Sequence, residues 1–215
     1  PALMCGNAVI LKPASLTAGS AIALTEIISN QDIPNGLFNL VLGSGSDIGN
    51  KIATHPDIAA ITFTGSVEIG KKLYHDSSPT LKKMQMEMGS KNPLVVMDDA
   101  DLQTAITCAA NGAFGGTGQK CTASSRLIVH ENIYKEFVEG LIENIKNLKV
   151  GHALDEGTQM GPASNHNQYE SNLNYVEIGK GEAKLAFGGN PMNMRTPGYY
   201  MEPTLFVDGD NKSRI

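Results

Sequence analysis

Over the first hundred residues, short β-branched runs alternate with stretches in which apolar residues recur at helical spacing. Residues 7–11 (NAVIL) read as a strand, and residues 17–29 (TAGSAIALTEIIS) predict a helix with Thr17 as its N-cap. Pro34-Asn35-Gly36 forms a turn signal ahead of a second strand, LFNLVL. The glycine-rich stretch 43–49 then opens a short helix reaching about Thr54. A third strand covers 58–64 (IAAITFT), a third helix runs from Ser66 to about His75, and residues 84–88 and 93–97 read as further strands.

Strand–helix alternation at this spacing implies βαβ units and an α/β fold of the doubly wound, Rossmann-like kind with a parallel sheet. On such sheets ligands bind beyond the C-terminal ends of the strands, where these glycines fall. After Gly89 the rhythm changes. A helix over 101–114 is followed by the small-residue turn GGTGQKCTASS, a strand (126–130), a helix (133–148), a helix over about 166–179, and strands at 184–187 and 204–208. The loop GGNPMNMRTPG between the last two strands is expected to be mobile. A boundary near Gly89/Ser90 divides the chain into 1–89 and 90–215, with no internal repeat in either part.

Composition narrows the function. Seventeen Lys and Arg against 22 Asp and Glu give a net charge of −5, which argues against nucleic acid as the main partner. No apolar run approaches the length of a membrane span. Three cysteines without paired spacing make no disulfide framework, and the N-terminus has no signal-peptide layout, so a reducing, cytoplasmic setting is expected. The five histidines fall in no metal-ligand spacing. Both ends read as cut, with Pro1 entering a strand-like run almost at once and Ile215 closing an unfinished charged segment.

Two glycine segments invite a phosphate. G-S-G-S-D-I-G (43–49) lies between a strand and a helix, where helix N-terminal N–H groups favour anions, although its spacing differs from the dinucleotide fingerprint. A tight turn without a ligand is the alternative. G-S-V-E-I-G-K-K (65–72) approaches the P-loop pattern of ATPases but places Lys72 where a hydroxyl must ligate Mg²⁺, and a second ammonium would repel the metal.

Two side chains suggest covalent chemistry. Cys121 stands among small residues that leave its sulfur accessible, next to Lys120, which could hold a thiolate or pair with a distal carboxylate of a substrate. Cys5 and Cys108 occupy apolar or helical settings and are expected to be buried packing residues. Glu87, among methionines in MQMEMGS, is expected to be desolvated, with its pKa raised as suits a general base. The bland alternatives are a packing thiol and a strand glutamate facing water.

The runs PALMCGNAVILKPAS, FTGSVEIG, MEMGSKNP, GQKCTASSRLIV, TQMGP and EPTLF together resemble, in order and spacing, the NAD(P)-dependent aldehyde dehydrogenase superfamily, closest to the α-ketoglutaric and succinic semialdehyde branch. The resemblance covers essentially the whole chain and implies a Rossmann-like cofactor domain followed by a catalytic domain. By position, Cys121 in GQKCT matches the catalytic nucleophile, and Glu87 in MEMGS the base that activates the hydrolytic water. Lys12 matches the lysine that holds the adenosine ribose, Gly45 and Gly49 the glycines of the cofactor turn, and Ser66 the serine at the pyrophosphate. The implied partner is a small aldehyde, with a semialdehyde acid favoured. The parent enzyme is expected to be a homo-oligomer.

Three departures qualify this resemblance. Ser15 stands where the family usually has a glutamate accepting from the ribose hydroxyls; a neutral side chain does not repel a 2′-phosphate, so NADP is expected to be accepted alongside NAD. Ser90 replaces the second glycine of the glutamate motif. The chain also matches the middle of the family's polypeptide, without the asparagine that donates to the oxyanion, the glutamate at the nicotinamide ribose, or the bridging strands. Loss of one oxyanion donor costs on the order of 10²–10³ in rate, so the chain alone is expected to be weakly active or inactive. A noncatalytic nucleotide-binding fragment is the alternative reading.

Overall fold

Parallel pairing is the direct outcome of the strand–helix alternation. In the computed structural model, which describes residues 1–215, β1 (Val9–Leu11) pairs with β2 (Phe38–Leu40) and β3 (Ala60–Gly65) with β4 (Lys83–Met88), both in parallel. Next, β5 (Asn92–Val96) pairs in parallel with β6 (Ser124–Val129), whereas β7 (Lys184–Phe187) and β8 (Leu205–Val207) run antiparallel. One long helix crosses over within each parallel pair: α1 (Ala18–Ser29), α3 (Val67–Ser77) and α4 (Leu102–Phe114) respectively. The class is α/β. Its pairing takes the form of four two-stranded ladders, a narrower arrangement than one doubly wound sheet. The chain divides into two units, Pro1–Met88 and Gly89–Ile215.

In the first unit, local hydrogen bonds define the helix starts. Ser66 caps α3, its Oγ accepting from Ile69 N–H at 3.3 Å, with Glu68 in the first turn facing the positive end of the dipole. Thr17 occupies the N-cap position of α1 without capping it: its hydroxyl donates back to Ala14 O at 3.3 Å across the 3₁₀ turn Ser15–Thr17. A single π-helical turn, Gly45–Gly49, runs directly into α2 (Asn50–Thr54), and Ser44 Oγ accepts from Asp47 N–H at 3.1 Å. Lys82, only 9% exposed, donates from Nζ to Ile58 O at 2.7 Å and to His55 O. Those bonds tie the start of β4 to the segment between α2 and β3.

The second unit has the larger apolar core. Phe137, Leu141 and Ile145, four residues apart on α5 (Tyr134–Lys146), pack against Ile106, Ala109 and Ala110 of α4 and against Val96 of β5. Asp101 caps α4 by accepting from Thr104 N–H at 2.8 Å, and its hydrogen bonds to Thr104 hold its carboxyl below the usual range. Asn165 caps α6 (His166–Glu182) in the same way, accepting from Gln168 N–H at 2.9 Å.

The segment between β7 and β8 is tethered, contrary to the mobility expected of it. Pro191 forms an antiparallel bridge with Met201, Ala163 another with Tyr199, and Asn190 donates from N and Nδ2 to the Glu202 carboxylate at 3.2 and 2.8 Å. Tyr200, 1% exposed, anchors the returning strand in the interior.

Candidate active site

Cys121 lies in the second unit at the first central position of a four-residue turn, closed by Ala123 N–H donating to Lys120 O at 3.1 Å. The turn leads directly into β6. Asn92, at the start of β5, grips its other side: Nδ2 donates to Cys121 O at 2.7 Å and to Ala123 O at 3.1 Å. The Cys121 N–H has no acceptor within the chain. Upstream, Gly116, Thr117 and Gly118 have φ of 63°, 62° and 65°, three consecutive left-handed residues that reverse the chain after α4.

Side chains fasten this reversal to the segment 161–164. Thr117 Oγ1 accepts from Gly161 N–H at 3.0 Å, Gln119 Oε1 accepts from Ser164 N–H at 2.9 Å, and Gln119 Nε2 donates to Pro162 O at 3.4 Å. Lys120 Nζ lies over Gly115. The family-like runs GQKCT and TQMGP are thus physically joined. Composition draws attention to Cys121 and Lys120, whereas Asn92, Thr117 and Gln119 carry no signal beyond being polar residues near glycines.

The other cysteines differ from expectation, since Cys5, Cys108 and Cys121 are all exposed. Cys5 sits in a surface 3₁₀ turn, Leu3–Cys5, and Cys108 lies on the face of α4 opposite the buried Ile106, Ala109 and Ala110. Exposure alone therefore does not single out a nucleophile. Glu87 also departs from its expected setting. In β4 the burial alternates, with Met84, Met86 and Met88 half-buried and Lys83, Gln85 and Glu87 exposed. The carboxylate faces outward while the methionines take the inner face, so the desolvation expected of it is not found.

The remaining candidates follow the C-terminal ends of the first unit's ladders. Lys12 comes directly after β1, with Nζ donating to Pro13 O at 2.7 Å, and Ser15 is exposed at the start of the 3₁₀ turn. Gly45 and Gly49 bound the π-helical turn that follows β2, the strand paired with β1. Ser66 follows β3, and Glu87 pairs with Thr64 near the end of the β3–β4 ladder. These two groups bring ammonium, hydroxyl and backbone N–H donors to the ladder ends where dinucleotides bind in α/β folds.

The 65–72 segment does not form a phosphate-wrapping loop. Gly65 ends β3 and Val67 already begins α3. Lys72 is already engaged, donating to Asn50 Oδ1 at the start of α2 at 2.9 Å and pairing with Asp76 along α3. That hydrogen bond from Lys72, with one from His75, holds the Asp76 carboxyl below its ordinary range. No group of His, Cys, Asp and Glu is arranged to hold a metal ion, and no helix is long and apolar enough to cross a membrane.

Comparison with known proteins extends these observations. The aldehyde dehydrogenase family profile matches residues 1–215. The chain is 41% identical to the 2,5-dioxopentanoate dehydrogenase of Saccharolobus solfataricus, covering 100% of this chain and 45% of that protein. It is 42% identical to the α-ketoglutaric semialdehyde dehydrogenase of Bacillus subtilis (96% and 43%) and 40% identical to the hydroxyisobutyraldehyde dehydrogenase of Mycolicibacterium austroafricanum (100% and 43%). Among solved structures, HpcC of Thermus thermophilus superposes with a TM-score of 0.95 at 39% identity, over 100% of this chain and 43% of that one. The betaine aldehyde dehydrogenase of Staphylococcus aureus in complex with NAD⁺ gives 0.94 at 31% identity, over 96% and 42%. The chain thus spans less than half the length of these relatives, while nearly all of it aligns with each of them. The chain belongs to the aldehyde dehydrogenase family.

Proposed function

We propose that this chain carries the nucleophile and much of the cofactor-contacting surface of an enzyme that oxidises an aldehyde to its carboxylic acid with NAD or NADP. The observation that carries the reading is the Cys121 turn: an exposed thiol beside a backbone N–H with no acceptor in the chain, fastened on both flanks. On this reading residues 1–89 form the NAD(P)-binding part and residues 90–215 the catalytic part.

The Cys121 thiolate adds to the aldehyde carbon, forming a C–S bond and an oxyanion, and the Cys121 N–H donates to that oxygen. When bound, the dinucleotide supplies a hydride acceptor, so the carbon leaves this stage as a thioester on Cys121. Glu87 removes a proton from water, whose oxygen attacks the thioester; the C–S bond breaks and returns the thiolate with the acid. Lys12 and Ser15 are assigned to the adenosine ribose, and the Gly45–Gly49 turn with Ser66 to the pyrophosphate. Their chemistry fits that group, being one ammonium, two hydroxyls and the N–H groups at the start of α3. Ser15 brings no charge against a 2′-phosphate, which favours acceptance of NADP. A semialdehyde acid is the favoured substrate class, supported by the dioxopentanoate and ketoglutaric semialdehyde relatives.

Peptide-resolved alkylation tests the reading. Iodoacetamide is expected to modify Cys121 at least about tenfold faster than the likewise exposed Cys5 and Cys108. Equal rates at all three would sink it. The second reading, a noncatalytic nucleotide-binding protein of the same fold, is favoured by the outward, exposed setting of Glu87 on β4. It predicts NAD or NADP binding by calorimetry with no dinucleotide reduction on any semialdehyde.

A further inference from the structure

We propose that Asn92 is a positioning residue for the nucleophile: its amide holds the Cys121 turn in the shape that presents the thiol and its adjacent N–H to an incoming carbonyl. The inference rests on the reading of Cys121 as nucleophile and adds a residue whose side chain acts only through the backbone.

Register places Asn92 there. It stands opposite Ser124, while Pro93 stands opposite Arg126, so the β5–β6 ladder slips by one residue between Asn92 and Pro93. Pro93 lacks an N–H and is accommodated at that irregularity. The slip leaves Asn92 level with the end of the Cys121 turn. Both Nδ2 hydrogens are then engaged, one by Cys121 O and one by Ala123 O. Since both acceptors are carbonyls, only the amide nitrogen satisfies the arrangement.

Each peptide plane beside Cys121 has a clasp of its own. The preceding carbonyl, Lys120 O, accepts from Ala123 N–H, and the following one, Cys121 O, accepts from Asn92. In a trans peptide the N–H lies opposite its carbonyl, so holding Lys120 O within the turn keeps the Cys121 N–H turned away from it. A turn closed by one backbone bond alone samples open forms; the second clasp suppresses them and reduces reorganisation when a charge develops on the substrate oxygen.

Asn92→Leu provides the test, since it keeps the branched shape, adds no charge and removes both donors; Asn92→Ala, which adds no bulk, serves as the second variant. Two readouts are taken on the 215-residue chain. Hydrogen exchange at the Ala123 N–H is expected to accelerate by about tenfold in either variant, while the amides of α4 and α5 keep their protection. The ratio of iodoacetamide rates, Cys121 over Cys108, is expected to fall by about threefold or more. General loosening would raise both rates, so a fall in the ratio reports positioning. An unchanged ratio, with the normal excess at Cys121 in the unaltered chain, overturns the role of Asn92 and leaves the nucleophile reading standing. No excess at Cys121 in the unaltered chain overturns the nucleophile reading, and this proposal with it.

Discussion

Substituting Gly118 by alanine perturbs the left-handed reversal at its tightest point. The backbone there has φ of 65°, and a Cβ would lie 2.6 Å from Ala113 O, a backbone atom in the last turn of α4. An L side chain in this conformation costs roughly 1–2 kcal/mol, and forcing the carbonyl aside adds about 1–3 kcal/mol of overpacking. Gly116→Ala is the matched control. Its φ is 63°, yet the nearest atom to a new Cβ is Lys120 Cδ at 3.9 Å, so only the conformational cost applies. The difference between the two variants isolates the carbonyl contact at about 1–3 kcal/mol. Urea denaturation followed by circular dichroism measures it: with a slope of about 2 kcal/mol/M, the Gly118→Ala midpoint lies about 0.5–1.5 M below that of Gly116→Ala. Coincident midpoints at equal slope would refute the reasoning, and would mean that the end of α4 yields without cost.

Other consequences are as direct. Phe137→Ala empties a fully buried site in the α4–α5 core and is expected to cost about 3–5 kcal/mol in urea-measured stability. Tyr134 titrates above its ordinary range, first because it is partly buried and then because its hydroxyl donates to Asp208 at 2.7 Å. Asp208→Asn is therefore expected to move the ultraviolet titration midpoint part of the way back toward about 10. Because that pKa is raised on folding, its stabilising contribution is full below the unfolded value of about 10 and fades as pH rises through the folded one. On the proposed assignment, Ser15→Glu places a carboxylate against a 2′-phosphate and is expected to weaken NADP binding by about tenfold or more, with NAD less affected, by calorimetry.

Period and punctuation make the βαβ order legible. The runs NAVIL, IAAITFT and RLIVH are all strands in part, and each parallel pair encloses the helix that the spacing requires. What local pattern does not carry is which face of an element meets its neighbour. The three methionines around Glu87 suggest a dry carboxylate, but strand alternation sends them inward and Glu87 outward. The apolar composition of α4 suggests a buried Cys108, yet that residue falls on the face away from α5. The small residues of GGTGQKC correctly mark a tight turn at Cys121. Its fastening to Asn92 and to residues 161–164 joins segments whose bonded residues are 29, 31 and 45 positions apart, and no local pattern encodes such long-range bonds. The Gly, Pro and Asn content of 188–198 suggests a mobile loop, but Tyr200 and Met201 just beyond its end supply buried anchors.

In the sequence Lys82 is an unremarked basic residue beside Lys83, yet the two have opposite fates on folding. Lys83 stays in solvent, while the Lys82 ammonium is clasped between the carbonyls of His55 and Ile58. An acylating reagent supplied to the native chain should therefore modify Lys83 at once and reach Lys82 only when the β4 end of the first unit opens. This adjacent pair forms a built-in clock with its own reference, reporting how often the β4 end of residues 1–88 opens without any engineered probe.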